Sequence, residues 1–91
     1  LEVAAKTYPQ VVAAAVNQAA KLISDKKYDE ALALLARSNQ EDARILAAQG
    51  YAYMAKGDQA KAREAWTKAA AKGNADAKHN ISELDKYLES L

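Results

Sequence analysis

His79 is the only histidine in the chain, and it is the first place to look for chemistry. An imidazole can act as a general base or ligate a metal. Asp76, Asn80 and Glu83 lie within about a turn of it. Zinc, however, needs three or four convergent ligands, and the sequence has no cysteine and no second histidine. His79 therefore reads as a structural or surface residue. The acidic pairs Asp29-Glu30 and Glu41-Asp42 fall where helices begin, and capping accounts for them better than acid–base work does. The Ser and Thr residues have no adjacent base in sequence. Gly50, Gly57 and Gly73 do not form a phosphate-cradling loop. The expectation is a non-enzymatic chain with no catalytic, cofactor-binding or metal-ligating residues.

Charge removes further classes. Thirteen basic and twelve acidic residues leave a net charge of +1, too little for a general grip on nucleic acid. Lys56, Lys61, Arg63, Lys68 and Lys72 form a cluster, but Asp58 and Glu64 interrupt it, so it reads as a solvated face. The same balance of charge argues against helices lying on lipid. No apolar run approaches the length that spans a membrane. No signal peptide is visible. The chain starts at Leu1, not at Met, and the expectation is that an upstream segment has been removed.

With chemistry set aside, what remains is architecture. Apolar residues make up 51% of the chain, a folding composition. Alanine supplies 23 of them and phenylalanine none. Alanine is the best helix former and the smallest side chain with a Cβ, so helices that pack closely around a thin core are expected. The spacing of Val12, Ala15, Val16, Ala19, Leu22 and Ile23 is helical, and Thr7-x-x-Gln10 with Pro9 resembles a capping box. Ser24 to Lys27 is a polar break. Tyr28–Arg37 reads as a second helix, with Asp29 and Glu30 in its first turn. Ser38-x-x-Glu41 reads as the capping box of a third helix ending near Lys56. Gly57-Asp58 and Gly73-Asn74 each combine a helix stop with an N-cap. They delimit a fourth helix over about Gln59–Lys72 and a fifth over about Ala75–Glu89, with Ile81, Leu84 and Leu88 on one stripe. No segment alternates with period two, so no strand is expected. Turns this short force neighbouring helices into antiparallel hairpins.

A shift of 31 residues brings these hairpins into register: Gln18, Gln49 and Asn80 align, as do Leu22, Tyr53 and Leu84. Ala19 falls on Gly50, Ala31 on Ala62, and Leu35 on Trp66. A fixed period of this size marks stacked helical hairpins. On these residues the chain resembles the tetratricopeptide repeat family, whose pattern is W-x2-L-G-x2-Y, then A-x3-F, then P. Leu46-x2-Gln49-Gly50-x2-Tyr53 followed by Ala62-x3-Trp66 is the best match. Ala15, Gln18, Ala19, Leu22, Ala31 and Leu35 form a weaker first copy. Trp66 to Ala77 also looks like the related Sel1-like repeats. The resemblance spans roughly Val12 to Leu88. The period is shorter than the family's ~34 residues, Gln18 and Gln49 replace Leu, and Ile81 stands where a small residue is usual.

The resemblance implies an all-α, right-handed stack of antiparallel hairpins, a superhelix of five helices. Residues 9–38 would form hairpin 1 and residues 39–73 hairpin 2, with residues 74–91 as a C-terminal capping helix. Residues 1–8 are an N-terminal segment that fits the end of a preceding repeat helix. Small side chains, Ala19 against Ala31 and Gly50 against Ala62, would let paired helices nest. About three repeats are needed for stability in such arrays, which favours a larger parent or self-association.

Function follows from the concave groove in which the family binds extended or helical peptides. Carried over by motif, the groove would show Ala13, Val16, Ala20 and Ile23. It would continue through Arg44, Ala47, Tyr51 and Met54 to Lys78, Ser82 and Asp85. The basic cluster with which some relatives clamp a peptide carboxylate is missing apart from Arg44 and Lys78, so no clamp is expected. The expected partner is a protein or peptide held on an apolar floor. The competing reading is that these residues pack against Leu1–Tyr8 or a second copy, the chain being a spacer of a longer array. The alanine-rich, cysteine-free style looks bacterial, and the resemblance leans towards a cell-envelope home.

Overall fold

In a computed structural model, residues 9–91 of the chain are described; the calls on Leu1–Tyr8, including the Thr7 cap, fall outside them. Five helices follow one another: α1 Pro9–Ser24, α2 Tyr28–Ala36, α3 Ala43–Lys56, α4 Gln59–Ala71 and α5 Ala75–Glu89. No strand occurs among the described residues. α1 and α2 form one hairpin, α3 and α4 a second, and α5 closes the stack against α4. α3 packs on both helices of the first hairpin.

The turns show how the chain reverses. Lys26, Gly57 and Gly73 have φ of 63°, 94° and 92°, the left-handed conformation that ends many helices. Each turn closes the same pair of bonds. The left-handed residue donates to the carbonyl three residues back, from Lys26 to Ile23 (3.0 Å), Gly57 to Met54 (3.1 Å) and Gly73 to Ala70 (2.9 Å). The next residue donates five back, from Lys27 to Leu22 (2.7 Å), Asp58 to Tyr53 (2.9 Å) and Asn74 to Ala69 (3.1 Å). This double closure satisfies carbonyls that a helix end leaves open. Lys26 thus stands at the position that Gly57 holds one repeat later, without glycine's freedom at positive φ.

The next helices are capped by the residue that follows. Asp58 accepts from the Lys61 N–H at 3.1 Å and Asn74 from the Ala77 N–H at 2.8 Å. Lys27 holds the equivalent place before α2 and has no capping side chain. The cap of α3 differs from the sequence-based expectation. Asp42, not Ser38, caps it, accepting from the Arg44 N–H at 2.8 Å. The Ser38 hydroxyl instead donates to the Leu34 carbonyl (3.0 Å), and Asn39 Oδ1 accepts from the Glu41 N–H (2.9 Å). A short polar side chain after a helix has both options, and here it completes the preceding helix.

α3 is apolar on two faces, and this divides the core. Ile45, Ala48 and Ala52 join Val12, Ala19, Ala31 and Leu35 on one side. Leu46 and Ala47 join Ala62, Trp66, Ala69, Ala77 and Leu84 on the other. A helix apolar on most of its circumference has to be buried, which makes α3 the shared wall of two thin layers. Ala19, Ala31 and Ala62 are fully buried. Ala19 and Ala31 share the core cluster of the first hairpin. In the second hairpin the space above Gly50 is filled by the Trp66 ring.

Lys27 and Asp58 share backbone geometry (φ −96°, ψ 63° against φ −94°, ψ 82°). Lys27→Asp should therefore create the missing cap and add about 1 kcal/mol. Lys26→Gly should add roughly 0.5–1 kcal/mol by relieving positive φ. Thermal denaturation of the two variants checks both, each expected to raise Tm by several degrees.

Candidate functional site

The candidate site grows from one contact between α3 and α4. Gly50 has no side chain, and the Trp66 indole lies directly over it. A Cβ built there would sit among the indole atoms, 2.7 Å from Cε2. Trp66 Nε1 donates to the Ala47 carbonyl at 3.2 Å, so a buried polar atom has its partner. The Tyr51 ring meets Trp66 edge-on, with centroids 5.6 Å apart and planes at 76°. Tyr51 is nevertheless 48% exposed. Its hydroxyl accepts from Asn80 Nδ2 of α5 at 2.8 Å. α4 therefore holds Tyr51 from beneath and α5 from the side.

A depression opens on each side of that bridge. The first, about 350 Å³, lies between α1 and α3 and is lined by Val16, Ala20, Ile23, Ala48 and Tyr51. None of these carries charge, and the one side-chain polar atom, the Tyr51 hydroxyl, is bonded to Asn80. The second, about 210 Å³, lies between α3 and α5 and is lined by Met54, Trp66, Asn80, Glu83, Leu84 and Tyr87.

The sequence-derived groove residues divide accordingly. Val16, Ala20, Ile23 and Tyr51 come together in the first depression, with Ala13 half-buried earlier on α1. Met54 lines the second, half-buried. Ala47 is buried and offers its carbonyl to Trp66 rather than a surface to a ligand. Arg44 is exposed, but its guanidinium is paired with Asp42 at 2.9 Å. On α5 the assignment is corrected. Asp85 pairs with Arg63 of α4 at 2.9 Å. Lys78 and Ser82, about two turns and one turn earlier, share its flank at about 100° per residue and line neither depression. Transfer by one repeat supposes that α5 sits on α3 as α3 sits on α1. α5 instead packs on α4, and it presents Asn80, Glu83, Leu84 and Tyr87 towards α3. The aligned series Gln18, Gln49 and Asn80 was the available signal for Asn80; nothing in the spacing marked Ala48, Glu83 or Tyr87.

Two carboxylates near the site are held below their ordinary range. A side-chain hydrogen bond from Arg44 lowers Asp42, against some desolvation, and the Arg44 backbone N–H adds to it. A side-chain hydrogen bond from Arg63 likewise lowers Asp85. Neither carboxylate lines a depression; the one charged side chain that does is Glu83, in the second. His79 is exposed on α5. No group of three or more potential metal ligands converges among the described residues, and no described helix is long and apolar enough to cross a membrane. Among known proteins, no family model, curated sequence or solved structure matches this chain.

Gly50→Ala should cost about 3 kcal/mol, because the new methyl displaces the indole and breaks its hydrogen bond. Denaturant unfolding followed by Trp66 emission, which should shift towards that of exposed indole, measures it. Asp85 is ionised more readily in the folded chain than at the ordinary 3.8. Its contribution is complete above that pH and is lost as pH falls through the lower folded value. Protection of the α5 amides, taken relative to their intrinsic exchange rates, should fall over that window in the parent chain. In Asp85→Asn the change should be smaller.

Proposed function

We propose that this chain is a non-catalytic protein-interaction module of the tetratricopeptide-like kind, taking a protein or peptide segment on the face where α1, α3 and α5 meet. One observation carries the reading: Tyr51, half-exposed, stands between an apolar depression and a polar-edged one with its hydroxyl already bonded. Soluble chains rarely leave contiguous apolar hollows open without a use for them. Aromatic side chains anchored in such positions dominate binding energy at interfaces. The 31-residue register of Gln18, Gln49 and Asn80 and of Ala19 and Gly50 supports the kinship, as does the packing of paired helices.

A second reading, a spacer that self-associates, draws on a different feature. At the end of α5, Tyr87, Leu88 and Leu91 are 51%, 40% and 84% exposed. Sedimentation across a concentration series separates the two. An assembly dissolved by Leu88→Glu with Leu91→Glu favours the spacer, and a monomer throughout rules it out.

The groove itself is tested by selecting peptides from a random display library on the folded chain. Ala20 is exposed at the rim of the first depression, so Ala20→Arg blocks it without touching the core. Selected peptides should bind this variant, and Tyr51→Glu, at least about tenfold more weakly, with unchanged circular dichroism. Peptides indifferent to both substitutions eliminate the groove.

A further inference from the structure

The second depression, between α3 and α5, has a chemistry distinct from the first. We infer that it receives a cation, the guanidinium of an arginine side chain on a bound segment. The inference rests on the binding face proposed above and names the chemistry of one anchor.

Met54, Trp66, Asn80, Glu83, Leu84 and Tyr87 line this hollow. Glu83 brings a negative charge, and no lysine, arginine or histidine stands among the lining residues. Most of the other polar groups are acceptors. The Trp66 N–H is committed to the Ala47 carbonyl at 3.2 Å, so the indole has no donor to spare. Asn80 spends an amide hydrogen on the Tyr51 hydroxyl at 2.8 Å and keeps Oδ1 as an acceptor. Met54 adds a polarisable sulfur. Trp66 and Tyr87 add aromatic rings, and the faces of such rings attract cations. The volume is about 210 Å³, less than the roughly 300–1,000 Å³ of sites that take a whole small molecule. One side chain is the fitting occupant.

The alternatives fit less well. An anion would meet the Glu83 carboxylate with no lining cation to offset it. An uncharged apolar side chain would fill the space but strip water from that carboxylate without pairing it. A guanidinium answers both needs. It is planar and stacks on aromatic rings, its forked donors match a carboxylate, and it sheds water more readily than an ammonium does. Its methylene stem suits the apolar wall of Leu84 and Met54. Three other hollows give the contrast. The one between α3 and α4 mixes Lys61 and Lys68 with Glu64, and the one between α1 and α2 sets Arg37 beside Glu30. The first depression has no charge at all. Lys86 does approach Glu83, but at 3.7 Å, with both side chains exposed. Such a pair is longer than a hydrogen bond and contributes little, so an incoming guanidinium displaces it cheaply. The chain already sets a cation on a ring elsewhere, with Lys61 Nζ 5.8 Å from the Tyr53 centroid.

The test pairs a cation with its neutral isostere. In a nuclear magnetic resonance titration, n-butylguanidinium should shift the Met54 methyl and Trp66 indole signals, and n-butylurea should bind at least about tenfold more weakly. Glu83 is exposed, so Glu83→Gln keeps the fold and should remove most of that preference. Glu64→Gln makes the same charge change at the cleft between α3 and α4 and should leave the preference intact. Equal binding of the two probes, no binding of the cation, or a preference that survives Glu83→Gln overturns the inference. Peptides selected on the folded chain supply the second arm. Those that depend on Tyr51 should carry an arginine whose replacement by citrulline weakens binding to the parent chain but not to Glu83→Gln. Tyr51-dependent peptides that need no arginine overturn the anchor and leave the binding face standing. A guanidinium-selective hollow on a chain for which no peptide depends on Ala20 or Tyr51 keeps the cation site and removes the face.

Discussion

The indole of Trp66 lying on the bare backbone of Gly50 organises the second half of this molecule. The ring fills the space a side chain would take, and its N–H reaches the Ala47 carbonyl one turn back along α3. α3 and α4 are thereby locked at one distance and one rotation. Tyr51 takes its edge-on contact from the same ring, and through its hydroxyl the constraint passes to Asn80 and α5. An error in the Gly50 contact would reach the exposed surface through three side chains. The first hairpin has no such aromatic. Leu35, the repeat counterpart of Trp66, is fully buried against aliphatic neighbours, and the corresponding hollow beside α1 stays open.

A chain with 23 alanines and no phenylalanine cannot rely on a thick core. Its layers are thin, and closely approaching helices compensate by dispersion over many small contacts. α3 carries the largest share, since each of its two apolar faces serves a separate cluster. Exposed ion pairs between elements, Lys56 with Asp29 and Lys72 with Glu41, contribute little energy each. They lie where α3 and α4 end against the first hairpin and the loop before α3, so they favour the native pairing of elements over slipped ones.

The two interfaces of the stack are not copies of each other, and this asymmetry shapes the candidate site. α3 packs on α1 and α2, whereas α5 packs on α4 and meets α3 by way of Asn80, Leu84 and Tyr87. The first interface leaves a wholly apolar hollow. The second leaves a mixed one, with an amide and a carboxylate on its edge. A face with one wholly apolar hollow and one polar-rimmed hollow has direction, which a perfectly repeating surface would lack.

Much of this was legible in the residues. The five helices and their order follow from apolar spacing and from stop-and-cap pairs such as Gly57-Asp58, because hydrogen-bonding rules at helix ends are local. The 31-residue register identified the small positions Ala19 and Ala31, and the family resemblance placed Val16, Ala20, Ile23 and Tyr51 on one face. It failed where local alternatives compete or where packing is not periodic. Ser38 could serve the helix before it or the one after, and only the bond to Leu34 decides. Asp85 shares a repeat position with Met54, but the Arg63 ion pair holds it on the other flank of α5. Helix rotation depends on which neighbour offers the larger apolar surface. That quantity belongs to the assembled molecule and not to any segment of its sequence.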